Sequence, residues 1–234
     1  MDFLNNLNYY LLLIFVIFIR HEYRNSSFVK NNFPSIAKTW FAIDSRALGI
    51  HRILLGWLCF WDIFRRWDYI DVFYSNLGLT HYTSKSFSIF YYIGNDSYIV
   101  HLIFALGIIF SILLMIGYKS KLSHFITAVI IISIHVYATK VGNSGDMFLN
   151  CMLIWTLFLP LGKSLSIDGL IGSLSNFKEN KVDDLNNRTK GINTPTQIYS
   201  IAYFAMLIQI SFIYFFTALD KSGWDWVYGK AFYK

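Results

Sequence analysis

The sequence predicts an all-α integral membrane protein, a helical bundle of about five to six transmembrane helices, and three observations predict it. Six separated apolar stretches run along the 234 residues, the longest covering 197–219 without a formal charge. A bilayer core of roughly 30 Å takes about 20 apolar helical residues, because hydrocarbon offers no water to pair exposed backbone amides. Composition agrees: 55% of residues are hydrophobic, 19% aromatic and only 15% charged, with a mean hydropathy of +0.44. That is more apolar surface than one soluble core uses. Finally, the net charge of +6 resides mostly in the loops between apolar stretches, where Lys and Arg orient helices and meet anionic headgroups. The expected partner is therefore the lipid bilayer and not nucleic acid.

The first stretch, 8–19, follows an acidic start at Asp2 and lacks the basic leading region and small-residue cleavage site of a signal peptide. It is expected to be retained, and at about a dozen apolar residues it spans thinly or lies in the membrane surface. The second stretch, 47–64, carries Arg52 near its start and ends in Asp62, Arg65 and Arg66. Their i to i+3 and i+4 spacing lets one carboxylate meet a guanidinium on the same face. Stretches 98–118 and 122–138 are joined only by Lys119, Ser120 and Lys121, which makes them an antiparallel helical hairpin.

The fifth stretch, 147–162, lies between Asp146 and Lys163, with Pro160 where a helix would stop or kink. Residues 173–196, rich in Asn, Lys and Asp and closed by Pro195, read as a flexible surface loop before the sixth stretch, 197–219. Cys59 and Cys151 both lie in apolar stretches without metal-ligand spacing, so neither a disulfide framework nor a metal site is expected.

Loop charge sets the orientation. If all six stretches span, twelve basic residues follow the first, third and fifth, and seven lie on the other side. The basic excess belongs in the cytoplasm. The 142–146 turn and the tail after residue 219 then face outward, which suits a bacterial cytoplasmic membrane with Lys221 on its outer side.

Three residues are candidates for chemistry. Lys221 follows the last stretch and shares a stripe with Tyr214 and Thr217 at i, i+3 and i+7. A partly desolvated amine there can serve as a general base, and the same position also suits a snorkelling lysine among interfacial tryptophans. His135 lies near the outer end of the fourth stretch, eleven positions before Asp146. Polar groups at membrane depth are costly and often functional, so these two can support a pocket. They also suit an interhelical hydrogen bond and a helix cap. Arg52 is expected to face the bundle, and Gln209 to bond across helices.

These residues resemble a family. Ser45-Arg46-Ala47-Leu48-Gly49-Ile50-His51-Arg52-Ile53-Leu54 with Trp61-Asp62, then Gly142-Asn143-Ser144-Gly145-Asp146 and Leu157-Phe158-Leu159-Pro160-Leu161-Gly162, then Tyr214-Phe215-Phe216 through Lys221, Gly223, Trp226, Gly229 and Tyr233 form three ordered blocks. Together they are similar to the horizontally transferred transmembrane (HTTM) domain shared with vitamin K-dependent gamma-glutamyl carboxylases, over about residues 44–233. On that basis 44–234 is an HTTM-like domain, apparently truncated at its C-terminus, preceded by a segment 1–43 holding the short apolar stretch and a basic loop.

The resemblance implies quinol-dependent modification of a secreted peptide or protein. Lys221 would deprotonate a reduced, vitamin K hydroquinone-like quinone, His135 and Asp146 would support it, and Arg52 and Tyr214 would contact the cofactor. The chain departs from the carboxylases at Asp220, where they carry a first lysine, and at its end, where they continue into a lumenal substrate domain. The alternative is a non-enzymatic accessory membrane protein of the same type, serving maturation or export of a secreted peptide.

Overall fold

The computed structural model describes residues 39–76, 78, 88–138, 141–180 and 197–221. The first apolar stretch, residues 181–196 and the tail with Trp224 and Trp226 lie outside the described residues. In chain order the elements are β1 (Ala42–Asp44), α1 (Ser45–Arg66), a single 3-10 turn (Trp67–Tyr69), α2 (Ile70–Phe73), α3 (Ile89–Ile93), α4 (Ser97–Ile116), α5 (Ser120–Tyr137), α6 (Ser144–Thr156), α7 (Ile167–Asn180), β2 (Gln197–Tyr199) and α8 (Ile201–Asp220). Among the described residues, four helical runs are long and apolar enough to cross a membrane: Ser45–Phe73, Ser97–Ile116, Ser120–Tyr137 and Ile201–Leu219. The chain is a helical membrane protein.

Helix α1 starts where extended Asp44 accepts a hydrogen bond from the Arg46 amide at 2.8 Å, satisfying a donor that the first helical turn leaves open. Its two faces show how the bundle is solvated. Ile50, Leu54, Trp57, Trp61 and Phe64 are all exposed, whereas Arg52, Asp62 and Arg66 are buried. An apolar perimeter around a partly polar interior is the pattern hydrocarbon requires. Around α1 the main core joins Leu55, Cys59 and Ile63 to Val100 and Phe104 of α4, Ile131 and Ile134 of α5, and Leu153 of α6.

Helices α4 and α5 form the expected hairpin. Gly117, at φ 73°, ends α4 with its amide bonded to the Leu113 carbonyl at 2.9 Å, a left-handed cap that glycine adopts without steric cost. A Cβ at Gly117 would also stand 1.9 Å from Arg52 Nη1. Asp168 of α7 then clamps the turn. Its Oδ1 accepts from the Lys119 amide at 2.8 Å, and its Oδ2 accepts from the Ser120 amide and hydroxyl at 2.7 Å each. Burial opposes its charge. The Ser120 amide and hydroxyl, the Lys119 amide and the Arg52 guanidinium outweigh that and hold the carboxyl below its ordinary 3.8.

Two expectations are corrected and one is narrowed. The fifth stretch forms a helix of only 13 residues, Ser144–Thr156, about 20 Å long, and continues as turns through Pro160 to the opposite end of the bundle. Residues 173–180 are not loop, because α7 continues to Asn180. The sixth stretch opens as strand: Gln197–Tyr199 pairs antiparallel with Ala42–Asp44, with Ile43 opposite Ile198, so α8 begins beside α1. The buried share of the apolar window is 61% for α5 and 11% for α8. Helix α5 is therefore central, and α8 lies on the perimeter against α6.

Close approach of α1 and α4 depends on small residues, as van der Waals contact between helices in lipid requires. A Cβ at Gly56 would meet Met115 Cγ at 2.7 Å, the Met115 amide nitrogen at 3.0 Å and the Ser111 carbonyl at 3.1 Å, whereas one at Gly107 meets only the side chains of Ile63 and Ile130. Backbone cannot rotate away, so Gly56→Ala should cost about 1–3 kcal/mol and Gly107→Ala distinctly less, read from melting of the detergent-solubilised protein. Asp168 contributes stability while ionised. Because its folded pKa lies below its unfolded one, that contribution is complete above about pH 4 and is lost as pH falls through the lower folded value. Asp168→Asn should flatten this part of the acid-stability curve and leave neutral-to-alkaline slopes unchanged.

Candidate functional site

Four of the buried polar residues, Asp62, Arg66, His135 and Asp146, converge at the end of the bundle where α1 and α5 finish and α6 begins. Asp62 and Arg66 lie one turn apart on α1, and Arg66 Nε donates to Asp62 Oδ1 and Oδ2, both at 3.2 Å. The same guanidinium reaches Asp146 Oδ2 at 2.8 Å and the Tyr74 hydroxyl at 2.9 Å. His135 of α5 completes the cluster, with Nε2 at 2.9 Å from Asp62 Oδ2 and 3.8 Å from Asp146 Oδ1. Its Nδ1 lies 2.8 Å from Asn150 Oδ1. Asp62, Arg66, His135 and Asp146 are each 6–7% exposed, so every charge depends on another side chain and not on water.

Local structure positions each member. Asp146 occupies the third position of α6, where its Oδ2 accepts from the Asn143 amide and Asn143 Oδ1 accepts from the Asp146 amide, both at 3.1 Å. This capping box fixes the carboxylate, so Asp146 caps the helix and pairs with Arg66 at once. Arg65 adds a second cation to Asp62 at 3.1 Å, with its side chain half-exposed. Two carboxylates thus face two guanidiniums around one imidazole. A charged His135 ring donates from both nitrogens, while a neutral one accepts at Nδ1 from an Asn150 amide turned by half a revolution. Either state leaves the network fully bonded.

Asp62, His135 and Asp146 also offer three ligand atoms within 4.8 Å of one another, and they are the residues that could hold a metal ion. Arg66 bonds both of those carboxylates, so a divalent cation would have to share them with a guanidinium already in place.

The remaining sequence candidates lie elsewhere. Arg52 is fully buried, but it lies fourteen residues before Arg66 on the same helix, about 21 Å away. There its Nη2 donates to the Leu165 carbonyl at 2.6 Å and the Met115 carbonyl at 3.4 Å, and its Nε and Nη1 have no partner among the described residues. Tyr214 is 71% exposed, and Thr217 and Lys221 are also exposed, as is every residue of 211–219 except Ile213, so this end of α8 stands clear of the described bundle on all its faces. Gln209 bonds across helices as expected, to Trp155 Nε1 at 3.3 Å and Cys151 Sγ at 3.6 Å. Helix α8 runs antiparallel to α6. Rise per residue from that contact puts Lys221 about 18 Å up α8 and Asp146 only about 7.5 Å up α6. Counted from Trp155 instead, Asp146 is about 13.5 Å up α6, so the lysine stands about 5–10 Å beyond the level of the ion network.

Sequence reasoning paired Asp62 with Arg65 and Arg66, and separately His135 with Asp146. It missed that these are one cluster, and it missed Tyr74 and Asn150. A charge tally at that end of the helices was the available signal, since two acids and two bases at one depth must find one another. No protein-family model matches the chain, and neither curated proteins nor solved structures yield a match.

Arg66→Met leaves Asp62 and Asp146 facing each other without their shared cation. It should destabilise the protein by about 3–5 kcal/mol, whereas Arg65→Met, at a half-exposed pair, should cost about 0–1 kcal/mol. Urea or thermal unfolding in detergent will measure the difference.

Proposed function

We propose that this chain is a multi-pass membrane protein of the HTTM type, working at the outer membrane surface on maturation or export of a secreted peptide. The observation that carries the reading is the placement of the buried Asp62–Arg66–Asp146–His135 network at the end of the bundle opposite the α4–α5 turn and the loop after α6. Those connections carry Lys119, Lys121 and Lys163, so the basic side is cytoplasmic and the buried network lies toward the outer leaflet. Ionisable groups at such depth are costly and are retained where they serve a substrate path or site. The peptide as partner is taken from the family resemblance alone.

Two modes fit that resemblance, an enzyme using Lys221 as base toward a reduced quinone and a non-enzymatic accessory protein. The exposure of Lys221, and of Tyr214 and Thr217 on its stripe, favours the accessory mode, because a base for quinol chemistry needs a desolvated amine. In that mode the network shapes the outer mouth, and no proton passes through Lys221.

The test is complementation in the native host. Secreted peptides from a strain lacking this chain are compared by mass spectrometry with those from strains carrying variants present at wild-type amounts in the membrane. Wild type and Lys221→Arg should both restore the mature peptide, and Asp62→Asn should not. Failure of Lys221→Arg would reinstate the catalytic lysine, and an unchanged peptide profile in the deletion strain would overturn the whole reading.

A further inference from the structure

At the end of the bundle opposite the ion network, helix α7 carries an apolar stripe that belongs to neither hydrophobic core. Ile167, Ile171 and Leu174, at i, i+4 and i+7, are 36%, 55% and 69% exposed. We propose that α7 lies in the plane of the membrane surface, with this stripe buried about 5–10 Å into the boundary between lipid headgroups and acyl chains.

Depth is the first support. The segment entering α7 crosses the ends of three candidate spans. The Asp168 amide donates to the Gly117 carbonyl at 3.1 Å, its carboxylate accepts from Ser120, the first residue of α5, and a Cβ at Gly49, in the second turn of α1, would stand 3.1 Å from Leu165 Cβ. A short turn between two spans lies where hydrocarbon gives way to headgroups. Helix α7 is thus tethered, at its second residue, to the level an interfacial helix occupies. Facing is the second support. A Cβ at Gly169 would meet the Lys163 carbonyl at 3.2 Å, so that side of α7 is turned to its own connecting segment. Gly169 lies two positions from Ile167 and from Ile171, about 160–200° round the helix, and the stripe therefore points away from the chain. Stability is the third. A helix of 14 residues is marginal in water unless its apolar face is packed, and Gly169 and Gly172 lower its propensity further. Lipid supplies the packing at the same level, because Ile116 in the last turn of α4 and Leu122 and Phe125 at the start of α5 are exposed on the lipid-facing perimeter. The stripe carries that surface from the side of the bundle onto its rim.

The experiment places nitroxide spin labels on the full chain in a Cys151→Ser background, Cys59 being buried. The labelled variants are Ile171→Cys, Leu174→Cys and, off the stripe, Gly172→Cys, where a Cβ would meet nothing within 4 Å among the described residues. None of the three positions is buried, so each variant should melt as wild type does. Reconstituted in phosphatidylcholine vesicles, each label is then read for collision with oxygen, which concentrates in acyl chains, and with a nickel chelate, which stays in water. The ratio of oxygen to chelate access should be high at 171 and 174 and low at 172. High chelate access at all three would place α7 in water and overturn the proposal. Exclusion of both reagents at 171 and 174 would mean that protein covers the stripe, either residues 1–38 of this chain or a second copy, and would overturn it as well. High oxygen access at all three would immerse the whole helix and overturn its placement at the surface.

Discussion

A charge inside a bilayer has no water to fall back on, and helix α1 carries three of them on its buried face, Arg52, Asp62 and Arg66. Much of the described bundle is arranged around that constraint. Asp62 and Arg66 are one turn apart and pair with each other, but a carboxylate and a guanidinium have more bonding positions than one contact fills. The surplus draws in Tyr74 just after α2, His135 from α5 and Asp146 from α6. Four elements are thereby tied at one end by side chains that cannot be satisfied singly. A buried ion network of this kind is weak evidence for stability, because an apolar core of the same volume can be as stable. Its presence is better explained by specificity of packing and by function.

Arg52 answers the same constraint differently. With no carboxylate in bonding contact among the described residues, its guanidinium donates to main-chain carbonyls at Leu165 and Met115, which is possible because Gly117 leaves the space a Cβ would fill. Asp168, fixed on the α4–α5 turn, adds charge complementarity at longer range. The two ends of the bundle therefore differ in kind. One is a closed network of paired side chains. The other is a set of backbone caps and lysines beside an open cavity.

Helix α8 is the least embedded element. It begins by strand pairing beside α1 and touches α6 through Gln209, yet most of its apolar surface, including Phe212, Phe215 and Phe216, is exposed. That surface is what lipid solvates, and it carries Lys221 away from the bundle's interior. The residue most suggestive of chemistry by family resemblance is thus remote from the residues most suggestive of chemistry by burial.

The class of the protein, the approximate limits of α1, α4, α5 and α8, and the α4–α5 hairpin were legible from sequence, because they depend on local quantities: apolar length, loop length and charge. The i to i+4 pairing of Asp62 with Arg66 was legible for the same reason. Other features depended on contacts between segments far apart in the chain. The β1–β2 pair joins residues 42–44 to 197–199, and Asp168 clamps a turn about fifty positions earlier, so no local window contains either. The short α6 was hidden because apolar composition continues past Thr156 while the backbone does not. Most of all, sequence placed Asp62 and Arg66 on one helix and His135 and Asp146 near another turn, but only the packing of α1 against α5 and α6 made them one site, since proximity in space and not spacing along the chain decides which charges share a counterion.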